Sequence, residues 1–218
     1  MTALEPLGDR AILARFAAEN DALHWASAVR RVRVPWLVDV VQAYRSVAVF
    51  FDLEQISHAA VVQALREWTR ESIPQAVESR LHEIPCCYDF PLDLPRIAET
   101  TGLTDEEIVQ LHLGTEYTVY AIGFCPGFPY LGYLPSSLCG VPRLPAPRLR
   151  VEAGSVGLTG RQTGIYTEAR PGGWNLVGRT PLELVCVAEG YFPLRTGDRV
   201  RFARIDEVEF HRLRGQRL

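Results

Sequence analysis

The chain has 218 residues, 47% of them hydrophobic and 22% charged, with a formal net charge of −3; this suits a globular protein of one large domain or two small ones and argues against a general nucleic-acid binder. All 23 basic residues are arginines, so a P-loop lysine, a Schiff-base lysine and a biotinyl-lysine are excluded. Five cysteines without CxxC spacing, no apolar run near membrane-span length and no signal-like stretch in Met1 to Pro6 point to a reducing, cytoplasmic setting.

Ala11 to Phe16 reads as a short strand and Asp21 to Arg31 as a helix, with Ala22, Leu23, Ala26 and Val29 near one face. Trp36 to Tyr44 is a β-branched apolar run. Arg45-Ser46 breaks it, and Val47 to Phe51 resumes as the second arm of a hairpin. Ser57 is a suitable N-cap for a helix to about Arg70, with Val61, Ala64, Leu65 and Trp68 at helical spacing. Leu81 to Tyr88 is a further strand. The order β-α-β-β-α-β predicts a ferredoxin-like domain over residues 1–88, a four-stranded antiparallel sheet with two helices on one face.

Leu94 to Thr100 is a short helix, and Thr104-Asp-Glu-Glu107 is a capping box opening another to about Leu113. From Glu116 the helical period disappears. Tyr117 to Ile122, Trp174 to Val177, Leu182 to Ala188, Arg199 to Ala203 and Val208 to Leu213 read as strands. Residues 123–181 hold 11 of the 17 glycines and 8 of the 15 prolines. Residues 89–218 are thus a helical connector plus an all-β barrel or sandwich with long shaped loops, and the whole chain is α+β.

Residues 123–181 also carry six arginines (143, 148, 150, 161, 170, 179) against two acids, Glu152 and Glu168. A local excess of +4 within a chain of −3 suits a carboxylate, a phosphate or an acidic partner surface. In Gly123 to Gly132, glycine and proline alternate with Phe124, Phe128 and Tyr130. Pro126-Gly127 favours a type II turn. The aromatics either wall an apolar pocket or docking surface, or plug the end of the barrel. Pro171-Gly172-Gly173-Trp174 allows close backbone approach and offers an indole N–H. Ala153 to Gly157 lacks the spacing of a nucleophile elbow, so Ser155 reads as a turn residue. His112, in the last turn of the capped helix, is a candidate general base or ligand anchor, or a capping residue whose charged form the helix dipole favours. Cys125 could be a nucleophile only if the fold brought His112 to it.

These residues carry a resemblance. The succession Gly123-Phe124, Pro126-Gly127-Phe128, Tyr130-Leu131, Pro142-Arg143, Pro147-Arg148, Val151 with Ala153 to Gly157, Gln162 to Tyr166, Pro171 to Trp174 and Gly178 to Pro181 resembles the KipI / PxpB family, also called allophanate hydrolase subunit 1. Leu7 to Ala11 and Gly197 to Phe202 fit it too. Glu152 stands where many relatives have proline. The resemblance implies a small N-terminal α/β domain and a C-terminal cyclophilin-like β-barrel. It further implies a subunit, not catalytic alone, of an ATP-dependent 5-oxoprolinase acting with KipA/PxpC-type and PxpA-type subunits, with ATP bound at the level of the complex. The alternatives within the family are an inhibitor of a sensor histidine kinase and a subunit of a urea carboxylase or allophanate hydrolase system. Activating a lactam by phosphorylation needs cationic clamps. On this resemblance Arg143, Arg148 and Arg179 are the candidate clamps, with Gln162, Tyr166 and Trp174 shaping a pocket and His112 beside it.

Overall fold

A computed structural model describes residues 3–71, 79–90 and 93–218; Met1 and Thr2 of the N-terminal stretch lie outside the described residues. The chain forms two compact units, Met1–Glu78 and Ser79–Leu218.

The first unit runs β1 (Ala3–Pro6), β2 (Ala11–Arg15), α1 (Glu19–Arg31), β3 (Leu37–Ala43), β4 (Ser46–Phe51) and α2 (His58–Glu71). Its strands lie in the order β1-β2-β4-β3, each pair antiparallel. The expected hairpin forms, with Ala43 opposite Ser46 and Tyr44 at φ 51° in the turn. Ser57 caps α2, its Oγ accepting from the N–H of Ala60 at 3.3 Å. Strand β4 alternates, sending Val47, Val49 and Phe51 into a core with Trp25, Ala26 and Val29 of α1 and Val61 and Leu65 of α2. One expectation fails. Leu81 to Tyr88 is not the last strand of this sheet; the position beside β2 is taken by β1. The predicted β-α-β-β-α-β sheet is therefore not what forms, and the division falls at 78/79 rather than at 88.

The second unit opens with β5 (Leu81–Cys87), α3 (Leu94–Thr101) and α4 (Asp105–Leu113). The capping box forms as predicted: Thr104 Oγ1 accepts from the N–H of Glu107, and the Glu107 carboxylate accepts from the N–H of Thr104. Next come β6 (Tyr117–Ile122), β7 (Pro129–Gly132), β8 (Arg148–Val151), β9 (Ser155–Thr159), β10 (Gln162–Ile165), β11 (Arg170–Gly172), β12 (Asn175–Arg179), β13 (Arg199–Ile205) and α5 (Glu207–Leu213). Seven strands follow one another as β6-β13-β5-β12-β9-β10-β7, and β7 pairs back onto β6, closing a barrel. β5 runs parallel to β13 over seven residue pairs, Leu81 opposite Arg199 through Cys87 opposite Ile205. That ladder, set 118 residues apart, fixes the strand in this unit. Ile84, Val119, Leu131, Val156, Leu158, Ile165, Val177 and Phe202 fill the barrel, with Ile97 of α3 and Ile108 of α4 in the same core. β8 and β11 make a separate two-stranded ribbon.

Val208 to Leu213, expected as a strand, is helix α5. Asp206 caps it by accepting from the N–H of Glu209, acids occupy its first turn and His211 and Arg212 its last, an arrangement the helix dipole favours. Leu182 to Ala188 is not a strand: it forms two isolated bridges, Glu183 with Arg217 and Cys186 with Tyr191, and ends in a 3-10 turn over Val187–Glu189. Among the described residues no helix is long and apolar enough to cross a membrane.

Candidate functional site: an aromatic cleft with one open arginine

The loop from Gly123 to Phe128 is closed by its own backbone. The N–H of Phe128 donates to the carbonyl of Cys125 at 3.1 Å, and the N–H of Gly123 donates to the carbonyl of Phe128 at 3.1 Å. Gly127, at φ +69°, takes the left-handed position that a type II turn at Pro126-Gly127 requires, as predicted. A Cβ there would lie 2.2 Å from Cγ2 of Val185. Phe124 also has a left-handed backbone, φ 66°, and the residue is 58% exposed. A non-glycine residue in that region carries backbone strain of order 1 kcal/mol, and such strain gathers at functional loops. Thr167 anchors the loop, its Oγ1 donating to the carbonyl of Pro126 at 2.7 Å.

The loop faces the β8/β11 ribbon and the segment leading into it. Between them lies a cleft of about 340 Å³ lined by Phe124, Phe128, Tyr130, Arg143, Pro147, Tyr166, Pro171 to Gly173 and Trp174. Phe128 is its buried centre. Its ring centroid is 5.0 Å from Tyr130, 5.3 Å from Tyr166 and 5.5 Å from Trp174, all edge to face, and Phe124 meets it from the open side at 5.4 Å. Edge-to-face pairs contribute roughly 0.5–1.5 kcal/mol each beyond area burial, so the walls are set before any ligand arrives. Gly172 is required here, because a Cβ would lie 2.3 Å from the hydroxyl oxygen of Tyr166. Burial pushes the hydroxyls of Tyr130 and Tyr166 above the ordinary phenol range, against the pull of the Arg143 charge on both. They remain protonated donors at neutral pH.

Arg143 is exposed, and among the described residues its guanidinium has neither a hydrogen-bond nor an ion-pair partner. Its backbone is nevertheless pinned on both sides. The carbonyl of Pro142 accepts from Asn175 Nδ2 at 2.9 Å, and the N–H of Leu144 donates to the carbonyl of Gly173 at 2.8 Å. Asn175 is fully buried and held in turn by Arg96, whose Nε donates to Asn175 Oδ1 at 3.0 Å.

Six of the ten sequence-predicted site residues therefore meet in one cleft: Phe124, Phe128, Tyr130, Arg143, Tyr166 and Trp174. The other four do not line it. Arg148 donates to Asp93 Oδ1 and to the carbonyl of Trp174 at 3.4 Å, which makes it a brace behind the cleft. Arg179 donates to the carbonyl of Ala153 at 3.1 Å, with its guanidinium over the ring of Phe210. Gln162 sits in β10 opposite Gly132 and Thr159.

His112 is fully buried in the barrel core, its ring 4.6 Å from that of Phe202. Thr163 Oγ1 donates to the carbonyl of Gly157 at 2.9 Å and so accepts from His112 Nε2, 3.1 Å away. Nδ1 is then the bare nitrogen and accepts from the Tyr88 hydroxyl at 2.8 Å. Burial lowers the imidazole to about 3, so the dipole-favoured charged form expected from its helical position is not what the core permits. Cys125 belongs to the aromatic cluster rather than to the barrel core, and its Sγ contacts Thr167 Oγ1 at 3.5 Å. Burial pushes its thiol up, and the Cys125–His112 pairing does not form.

The predicted arginine cluster is for the most part already engaged. Arg148 pairs with Asp93, Arg150 with Glu152 at 2.6 Å and Arg170 with Glu168 at 2.6 Å, while Arg161 lies over the Tyr133 ring. Asp93 and Asn175 hold the walls, and no sequence signal singles them out. Each is a single polar residue whose partners are up to 83 positions away.

The closed seven-stranded barrel with this cleft, beside its helices, defines an α+β protein. The sequence matches the family described as "Carboxyltransferase domain, subdomain C and D" over residues 2–189, and the chain belongs to that family. It is 36% identical to the B subunit of 5-oxoprolinase from Bacillus subtilis, over 95% of both chains. The solved structure of TTHA0988 superposes with a TM-score of 0.79 at 38% identity over 90% of this chain, which spans 40% of the length of that protein. Kluyveromyces lactis urea carboxylase, with a TM-score of 0.76 at 21% identity over 96% of this chain and 22% of its own, shares the fold.

Proposed function

We propose that the chain is one subunit of an ATP-dependent 5-oxoprolinase, which opens the lactam of 5-oxo-L-proline to L-glutamate, and that the barrel is of the cyclophilin-like kind. The reading is supported by a relative named as the B subunit of 5-oxoprolinase, matched nearly end to end. The observation that carries it to the chemistry is the aromatic cleft with an unpartnered arginine at its edge. Such a cleft suits a small, flat, anionic ring. That relative's name implies a multi-chain assembly, and TTHA0988 holds the equivalent of this chain as 40% of a longer one. A second chain corresponding to the remainder, of the KipA/PxpC type, and a PxpA-type chain are the proposed partners.

ATP enters this reading at the level of the assembly. There is no lysine. The arginines of the loop-rich segment other than Arg143 are bonded to carboxylates or a carbonyl, or stacked on a ring. One open guanidinium does not fit a triphosphate. This chain's part is to hold and orient the ring. Phe124 and Tyr130 flank it at the mouth, and the closed aromatic floor of Phe128, Tyr166 and Trp174 keeps water from one face.

Co-expression with the two candidate partners, followed by an assay of ATP-dependent glutamate formation from 5-oxoproline, tests the proposal. Turnover lost when this chain is omitted is the expected result. Turnover that persists without it, or is absent with all three chains, overturns the proposal.

A further inference from the structure

We propose that Arg143 is the carboxylate-recognition residue of the cleft and that the cleft selects small flat rings bearing a single carboxylate. The choice of 5-oxoproline as the ligand rests on the reading above; the assignment of the side chain and of the group it binds goes beyond it.

Three observations carry the assignment. The first is pre-organisation with an open charge. Pro142 and Leu144 are both tied by hydrogen bonds to Asn175 and Gly173, so the backbone of Arg143 is fixed while its guanidinium is left without a partner among the described residues. A guanidinium presents a planar fork of donors that matches a carboxylate. The second is charge. The flanking arginines 148, 150 and 170 are neutralised by Asp93, Glu152 and Glu168. The net charge facing the cleft is thus a single positive one, enough for a monoanion and too little for a phosphate ester. The third is what surrounds it. Exposed Phe124 and half-buried Tyr130 offer ring surface at the mouth, over a floor of buried Phe128, Tyr166 and Trp174. The Tyr130 hydroxyl and Trp174 Nε1, which have no hydrogen-bond partner among the described residues, offer donors for a ring carbonyl. A volume of about 340 Å³ lies at the small end for ligand pockets.

The test is a titration of the full ¹⁵N-labelled chain, read at the Trp174 indole N–H resonance, assigned through Trp174→Phe. The probes are 5-oxoproline, 2-pyrrolidinone (the same lactam without the carboxylate) and a short acidic peptide. The expected result is binding of 5-oxoproline about tenfold to a hundredfold tighter than 2-pyrrolidinone, the range of one charge-assisted contact, with the difference erased by Arg143→Met. Since the Arg143 side chain makes no hydrogen bond among the described residues, the variant is expected to keep every resonance outside the cleft in place. Equal affinity for the two lactams, discrimination that survives Arg143→Met, or no binding of 5-oxoproline overturns the assignment. Tighter binding of the acidic peptide overturns it in favour of a docking site for a partner protein. The outcomes separate from those of the turnover assay. An active complex with no Arg143-dependent binding leaves the enzymatic reading standing, and Arg143-dependent binding with an inactive complex leaves the recognition site standing.

Discussion

Mild acid is expected to weaken the barrel through His112. Both ring nitrogens are bonded inside the core, and burial lowers the imidazole from 6.5 to about 3. Above pH 6.5 the ring is neutral whether the chain is folded or unfolded, and it contributes nothing to the pH dependence. Below 6.5 the unfolded chain takes up a proton that the folded one refuses, so stability falls as pH falls, until about pH 3, where both bind it. Each pH unit well inside that window is worth about 1.4 kcal/mol, so going from about pH 6.5 to about 4.5 costs about 2–3 kcal/mol. Against the roughly 5–15 kcal/mol of a typical domain, that is a sizeable fraction. The assay is urea unfolding at about pH 7 and about pH 4.5 for the natural chain and for His112→Gln. The variant is less stable at neutral pH, since it loses ring packing on Phe202. The decisive quantity is the slope below pH 6.5, which is expected to flatten by about one proton. A side-chain NMR titration gives the direct check. An imidazole of His112 that titrates near its ordinary value of 6.5, or identical slopes for the two chains, would refute the reasoning.

Further outcomes follow from the walls and core. The Arg148–Asp93 pair, with the two side chains 34% and 14% exposed, is expected to show a coupling of about 1–2 kcal/mol in a double-mutant cycle of the two alanine variants; independent, additive effects would refute the brace. Gly172→Ala drives a methyl group to 2.3 Å from the Tyr166 hydroxyl oxygen. It is expected to cost about 1–3 kcal/mol in unfolding experiments, with part of the loss recovered in a Tyr166→Phe background; no recovery would place the strain elsewhere. At high pH the buried Tyr88 hydroxyl and Cys86 thiol, both pushed up by burial, keep protons that the unfolded chain gives away. Stability is therefore expected to fall as pH rises above about 8.5, and Cys86 to resist a thiol reagent in the native state. Rapid native labelling of Cys86 would contradict its burial.

What is legible in the sequence is what local chemistry decides. The helices opened by Ser57 and Thr104 start where their caps stand, and the apolar run Val47 to Phe51 forms the strand it announces. The helix at Glu207–Leu213 is equally local, announced by Asp206 and by its acids and bases in order. Val208 and Phe210 imitate an alternating strand there, and the cap outweighs them. The short strands at 148–151, 155–159, 162–165 and 170–172 are hidden for a different reason. Ser155–Thr159 is buried at every position, so it shows no alternation, and the glycine that breaks its pattern is required by its neighbours. Gly157 has the Trp174 Cβ 3.1 Å from where its own Cβ would stand. The placement of Leu81–Cys87 is not local at all, since its partner Arg199–Ile205 lies 118 residues on.

The arginine cluster marks the boundary between what composition decides and what geometry decides. Six arginines against two acids over residues 123–181 locate a positively biased region. Composition does not say which guanidinium stays open, because each neutralising contact is a matter of register. Arg150 and Arg170 each find a glutamate two positions away, Glu152 and Glu168. Each glutamate sits just outside the strand that carries its arginine and only two positions away, so those pairs are available to sequence reasoning. Arg148 is different, since Asp93 reaches it from 55 positions away, while its own backbone faces Gly172 across the ribbon. With these three paired, Arg161 turned onto the Tyr133 ring and Arg179 onto the Ala153 carbonyl, Arg143 stands at the cleft with its backbone fixed and its charge unspent. A field spread over six residues thus becomes a contact offered by one, which is what recognition of a small anion requires.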